Sequence, residues 1–333
     1  MNAVLLLASF AVILAGALLF TNAIEWAGHR LQIGVGATGS LLAAVGTAMP
    51  ETLIPIVAVI GGGTDADSVA IGAIVGAPFL LATLAMALVG FTALLYQRRR
   101  RGGRRINAHA PTLERDLSVF LAFFAVALAA GTVDSRPLHL AVAGLCLLGY
   151  ALYVRGTLRG GGPVQAEETL GPLIMDRRAG RSDEVPGGGL IALQVAVGLL
   201  AIVGGAHLFV EELITVAEHL GVDVLVLSLV LAPLATELPE KANSFFWVRE
   251  EKDSLALGNI TGAMVFQSMI PVAFGLAFTD WDLGGFAVLS MALGLAGGGL
   301  AYWALRLRGR FDTVAIIALA ALFTTFLVAV ALD

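Results

Sequence analysis

Leu234-Ala-Thr-Glu-Leu-Pro-Glu-Lys-Ala-Asn243 places two carboxylates, a proline and a lysine inside an otherwise apolar run. Gly258-Asn-Ile-Thr-Gly262 follows after a short charged stretch. A reduced copy stands in the first half, as Val45-Gly-Thr-Ala-Met-Pro-Glu-Thr52 and then Gly72-Ala-Ile-Val-Gly76. Ionisable groups at membrane depth are costly and mark functional sites. A polar, proline-broken segment present twice points to one site assembled from two halves.

The surrounding composition is that of a membrane protein. Of 333 residues, 58% are hydrophobic and 14% charged, and mean hydropathy is +0.89. So little charge cannot cover a soluble chain of this size, so a soluble enzyme is excluded and the lipid bilayer is the first partner. Forty glycines suit closely packed membrane helices. The single cysteine, Cys146, excludes an intramolecular disulfide and reads as packing. The first span is too long, and too lightly charged at its start, for an ordinary cleaved signal peptide.

Ten spans are predicted, at about 2–23, 31–61, 67–95, 115–131, 136–154, 188–213, 219–247, 253–278, 283–304 and 311–332. The second, third, seventh and eighth are broken by Pro, Gly or polar residues. Arg98 to Arg101 with Arg104 and Arg105 crowd one loop, five arginines the loop 155–187, and Arg306, Arg308 and Arg310 the last. The connections Thr64–Asp67, Val133–Pro137 and Thr279–Asp282 hold one Arg between them. Ten spans put every Arg-rich loop on one side, so both termini are predicted to face outward from a prokaryotic plasma membrane. The arginines read as topology determinants, not as a nucleic-acid surface. Residues 155–187, with Gly-Pro-rich ends, read as a cytoplasmic linker with room for a short surface helix near Glu167–Met175.

Offset by 189 residues, the halves match: Ala15–Phe20 lies over Gly204–Phe209, Thr47 over Thr236, Pro50 over Pro239 and Glu51 over Glu240. After a three-residue length change, Asp67–Gly72 lies over Asp253–Gly258 and Gly76 over Gly262. The expected domains are a first repeat, 1–154, the linker 155–187, and a second repeat, 188–333. Five spans per repeat invert the second against the first, about an axis in the membrane plane. That arrangement is a transporter architecture.

Pro50 and Pro239 are expected to interrupt their helices and free carbonyl oxygens. Glu51 and Glu240 follow, and a carboxylate at that depth needs a cation, a proton or a basic partner. Two of them from opposed half-sites can clamp a divalent cation such as Ca²⁺, which takes hard oxygen ligands. Thr47 and Thr236, four positions earlier, can add oxygen or back-bond to their own helix. Gly72, Gly76, Gly258 and Gly262, with Asn259, are expected to let the third and eighth helices cross near the site. Glu237 and Lys241, at i and i+4, form a favourable pair, and a second reading makes Lys241 a proton-coupling or charge-balancing group. Asn22, Glu25, His207, Glu211 and Glu212 are candidates for an access path. Gln194 and Asn243 are expected in interhelical hydrogen bonds, and Trp247 and Trp281 as interfacial anchors. No catalytic triad, nucleotide loop or His/Cys metal spacing is present, so neither enzyme activity nor a cofactor is expected.

Paired Gly-Thr-x-x-Pro-Glu and Gly-Asn-x-x-Gly segments in inverted repeats resemble the cation/Ca²⁺ exchanger superfamily, in particular its prokaryotic sodium/calcium exchanger-like membrane proteins. The resemblance covers nearly the whole chain. It implies an all-α fold of ten helices in two inverted five-helix repeats, with an ion site at the membrane centre holding Thr47, Glu51, Thr236 and Glu240. It also implies exchange of Ca²⁺ against Na⁺, with the first and sixth helices sliding over a fixed core. H⁺ coupling, another divalent cation, or a non-transporting sensor or scaffold are the alternatives. The chain departs from the pattern at Ala48 and Glu237, where the family has Ser, and at Ala235, where it has Gly. Ala73, Ala77 and Leu81 replace the family's Asn, Ser and Asn/Asp in the first half, and Ala263 and Gln267 replace Ser and Asn/Asp in the second. Those replaced oxygens are ones the resemblance assigns to sodium, while Glu237 and Gln267 add new oxygens as metal-ligand candidates.

Overall fold

The computed structural model describes residues 2–31, 49–63, 65–106, 110–159, 171–176, 186–309 and 312–332. In order, the helices are α1 (Asn2–Arg30), α2 (Met49–Gly61), α3 (Ala66–Leu80), a π turn (Leu81–Ala85), α4 (Met86–Leu95), α5 (Ala110–Ala130) and α6 (Arg136–Arg159). The second half holds α7 (Gly188–Leu220), α8 (Val224–Arg249), α9 (Asp253–Gln267), α10 (Ile270–Phe278), α11 (Gly285–Arg308) and α12 (Thr313–Leu332). Seven helical stretches among the described residues are long and apolar enough to cross a membrane: α1, α3 through α4, α6, α7, α9 through α10, α11 and α12. The fold is therefore all-α and polytopic.

Hydropathy placed the end of the sixth span at residue 213, but α7 runs on to Leu220. Glu211, Glu212 and Glu218 lower the apolarity without lowering helix propensity. The helix stops where Gly221 takes a left-handed cap at φ 65°. Asp223 then caps α8, accepting from Leu225 N at 2.8 Å and Val226 N at 3.4 Å.

Two packing units follow from side-chain size. α3, α4, α5, α9 and α11 build the larger core, with Phe79, Phe120 and Phe124 buried in it. α1 packs along α7, and a smaller apolar cluster joins that pair to α2, α3 and α8 through Ile13, Phe209, Ile54, Val69 and Ala232. α6 turns Leu140, Leu145, Leu148 and Leu152 outward, a lipid-facing row.

The closest seam is α3 on α8. Pro233 has no N–H, so the Leu229 carbonyl lacks its helical donor. Gly76 sits against that carbonyl: a Cβ there would lie 2.2 Å from Leu229 O and 2.9 Å from Pro233 Cγ. Gly72 meets Leu225 O and Ser228 Cβ in the same way, and the Ser228 hydroxyl donates to Val69 O at 2.8 Å. The obstacles are mostly backbone, so neither helix can yield cheaply. Gly76→Ala is expected to cost about 1–3 kcal/mol as overpacking, read as a lowered thermal midpoint. Gly204→Ala, at an exposed helical position with open space, is expected to leave the midpoint unchanged or raise it.

Candidate ion site

Thr236 and Glu237 lie on α8, and both are buried. The Thr236 hydroxyl donates to Ala232 O at 3.2 Å, the back-bond to its own helix. That bond uses its proton and leaves oxygen lone pairs available as a ligand. The Glu237 side chain is 1% exposed and accepts from Gln267 Nε2 on α9. Gln267 is 2% exposed, and its carbonyl Oε1 has no hydrogen-bond partner among the described residues. The amide thus divides its labour: its N–H₂ fixes a carboxylate across the helix pair, and its oxygen remains as a buried acceptor. Sequence reading gave both residues as ligands but not this direct contact.

The backbone around Gln267 explains its placement. It is the last residue of α9, and α10 restarts at Ile270 with Pro271 in its first turn. Leu81, its mate in the repeat, begins the π turn Leu81–Ala85. Both halves therefore break helical regularity at the same repeat position, and such irregularity recurs at functional sites. In the first half Leu81, Ala73 and Ala77 are all buried and apolar, and Thr83 inside the π turn donates its hydroxyl to Phe79 O at 2.6 Å.

Glu51 stands in the first turn of α2 and is 7% exposed. An α-helix N-terminus favours a carboxylate there. α2 packs against α8, which carries Thr236 and Glu237. Thr47 lies outside the described residues, as do the side chains of Glu240, Lys241 and Asn243. The expected interruption at Pro239 does not occur, because α8 continues through it to Arg249. The missing proline N–H still frees the Ala235 carbonyl without breaking the helix. Asn259 is partly buried on α9. Gly72 and Gly76 seat α3 on α8, the seventh predicted span, while α9, in the eighth predicted span, also packs on α3. A Cβ added at Gly258 or Gly262 would meet no neighbouring helix within 4 Å among the described residues.

Other expectations fall either way. Gln194 does join helices, donating to Leu19 O and Asn22 Oδ1 at 2.9 Å each. His207 and Glu211 pair at 3.2 Å on an exposed face of α7. Trp281 is no interfacial anchor: it is 1% exposed, packs on Gly275 and donates its indole N–H to Ala127 O at 3.1 Å. A large ring with one donor can be buried once that donor is satisfied.

Two buried charge clusters escaped sequence reading. Asp116 on α5 accepts from Tyr153 Oη at 2.9 Å, from Arg115 and, at 3.1 Å, from Thr261 within the Gly258–Gly262 motif. Arg100 forks onto Asp253 at 2.9 and 2.7 Å. The Asp67–Asp253 repeat match was the available signal for the second cluster. Among six clustered arginines nothing distinguished Arg100.

The family model for sodium/calcium exchanger protein matches residues 1–158 and 190–332. CaxA of Alkalimonas amylolytica is 24% identical over 247 residues, covering 74% of this chain and 71% of that protein. Inner membrane protein YrbG of Escherichia coli strain K12 is 24% identical over 254 residues, covering 74% and 70%. Among solved structures, the H⁺/Ca²⁺ exchanger CAX superposes with TM-score 0.70 at 20% identity, over 98% of this chain and 82% of that one. The sodium-calcium exchanger NCX_Mj gives 0.60 at 19% identity, over 98% of both chains. These structures share the fold. The family match runs through both halves, so the chain belongs to the sodium/calcium exchanger protein family, a multi-pass membrane protein that acts as a secondary cation antiporter.

Proposed function

We propose that the chain moves Ca²⁺ against Na⁺ by alternating access, between two inverted five-span repeats, 1–154 and 188–333, joined by the linker 155–187. Glu51 and Glu240 are the central ligands, with Thr47, Thr236, Glu237 and Gln267 adding oxygens, and both termini face outward. The family matches at 1–158 and 190–332 support the two-repeat reading. The observation that carries the site is the buried Glu237–Gln267 contact between α8 and α9, with a further buried carboxylate, Glu51, on α2. Carboxylates at that depth need a cation or proton, and hard oxygens suit Ca²⁺.

A specific observation favours H⁺ as the counter-ion in a second reading. The first-half positions Ala73, Ala77 and Leu81 offer buried methyl groups where further cations need oxygens. A proton needs only one carboxylate. ⁴⁵Ca²⁺ uptake into proteoliposomes, driven in turn by outward Na⁺ and outward H⁺ gradients, separates the readings. Uptake under the Na⁺ gradient is expected; uptake under H⁺ alone selects the second reading, and uptake under neither removes Ca²⁺ exchange. Lys241→Met shifts the pH profile if Lys241 couples protons and leaves it unchanged if Lys241 only pairs with Glu237.

A further inference from the structure

Residues Gly171–Asp176 of the linker contain no helix, and the rest of the stretch Glu167–Met175, where the sequence leaves room for a short surface helix, lies outside the described residues. Residues 171–176 lie against the ends of α1 and α7 next to the linker. Leu173 is 1% exposed, packed with Ala23 of α1 and Ile191 of α7, and Trp26 flanks them. The Trp26 indole donates to Gly171 O at 3.0 Å. Ile174 N donates to Asn22 Oδ1 at 3.0 Å, and Met175 N to Gln194 Oε1 at 2.8 Å. The Gln194 amide then donates to both Asn22 Oδ1 and Leu19 O.

Gln194 is fully buried in a helix of low polarity, and a buried amide is costly unless its groups are paired. Its N–H₂ is satisfied by α1, and its oxygen by the linker segment. The network therefore closes only when α1, α7 and residues 171–176 hold one register. A slide of α7 along α1 would break several bonds together. Each named contact is to α1 or α7. At the helix seam the backbones also touch: a Cβ at Gly198 would lie 2.7 Å from Phe20 N, and one at Gly16 would lie 2.9 Å from Gly198 O.

We propose that Gly171–Asp176 is a strap, keyed by Gln194 and Asn22, that fastens α1 and α7 into one rigid pair moving as a unit against the rest of the molecule. The motion rests on the exchanger reading above; the fastening does not. The strap's function is to keep the two helices from shearing against each other when ion access alternates.

The test uses the full chain in lipid nanodiscs with spin labels at Leu31→Cys and Leu193→Cys, both exposed positions, with the buried Cys146 left in place. Leu173→Asp undocks the strap without altering either helix, and Gln194→Ala removes the key. The unaltered strap is expected to show slow hydrogen exchange at Ile174 and Met175 and one narrow interspin distance. Both variants should lose the exchange protection and broaden the distance. An unprotected strap, or a distance that stays narrow with the strap undocked, overturns the proposal. Proteoliposome uptake by Leu173→Asp should fall roughly ten-fold in maximal rate, about the worth of one buried hydrogen bond, at an unchanged half-saturating cation concentration. Unchanged uptake also overturns it. If the unaltered chain moves no cation, the exchanger reading fails, while exchange and distance still decide the fastening.

Discussion

Glu51→Gln is expected to lower cation uptake about 100-fold or more, because one charged ligand interaction worth about 3 kcal/mol is removed at a site water does not screen. The substitution keeps the shape of the side chain and its place in the first turn of α2, so helix content and thermal midpoint should change little. The stability could even rise in the absence of cation, since a neutral amide is easier to bury than a carboxylate. Loss of uptake with retained stability is the signature of a ligand; loss of both would make Glu51 a packing residue. Glu240→Gln should behave alike if the two half-sites face one ion. Glu237→Gln separates the roles further. Gln267 currently donates to a carboxylate, a stronger contact than amide to amide. If Glu237 binds the ion, uptake falls with Glu237→Gln. If it only braces α8 to α9, Glu237→Gln retains an oxygen acceptor for Gln267 and most of the uptake. Uptake at the original level in all three variants would overturn the site assignment.

The stretch from Leu234 to Asn243 stands out in the sequence because hydropathy leaves no other reason for its charges. The positions that decide its chemistry were less so. Gln267 stands out only through the family pattern, where it replaces Asn/Asp, and its contact with Glu237 comes from the last residue of α9, an end that sequence did not predict. Leu81 looked like a lost ligand and proves to start a π turn, a backbone feature with no residue signature. Proline reading erred at Pro239 because a helix supported on its sides can tolerate a missing N–H. Arg100 and Trp281 were misread for one shared reason: residue type indicates a water or interface preference on average, and tertiary partners override it. Gln194 was read correctly, since a carboxamide in an apolar span must find partners, but the linker segment as one of those partners was beyond any pattern.

The same override yields the largest expected loss of stability. The side chains of Arg100 and Asp253 are each 1% exposed. All five guanidinium N–H groups are used: two on Asp253, and one each on the carbonyls of Gly103, Arg105 and Val248. Val248 lies near the end of α8, and Asp253 begins α9. One side chain thus sets the turn between the two helices that carry Thr236, Glu237 and Gln267. Arg100→Ala leaves the Asp253 charge buried, at a cost of about 3–5 kcal/mol. Arg100→Lys should recover little, because an ammonium cannot match the fork. Replacing both residues by apolar ones of similar volume should recover much of the loss. Asp67 is the repeat mate of Asp253 and by sequence its equal. Yet among the described residues it accepts one backbone N–H, from Asp280 at 3.1 Å, and it is only half-buried. Asp67→Asn is therefore expected to cost only about 0.5–1.5 kcal/mol. Thermal midpoints in one lipid preparation check the ranking, and comparable losses for Asp67→Asn and Arg100→Ala would show that the ion pair is no stronger than its half-buried counterpart. Because the pair fixes the α8–α9 turn, variants that remain folded should also bind the cation more weakly, which ties the stability of that turn to the geometry of the site.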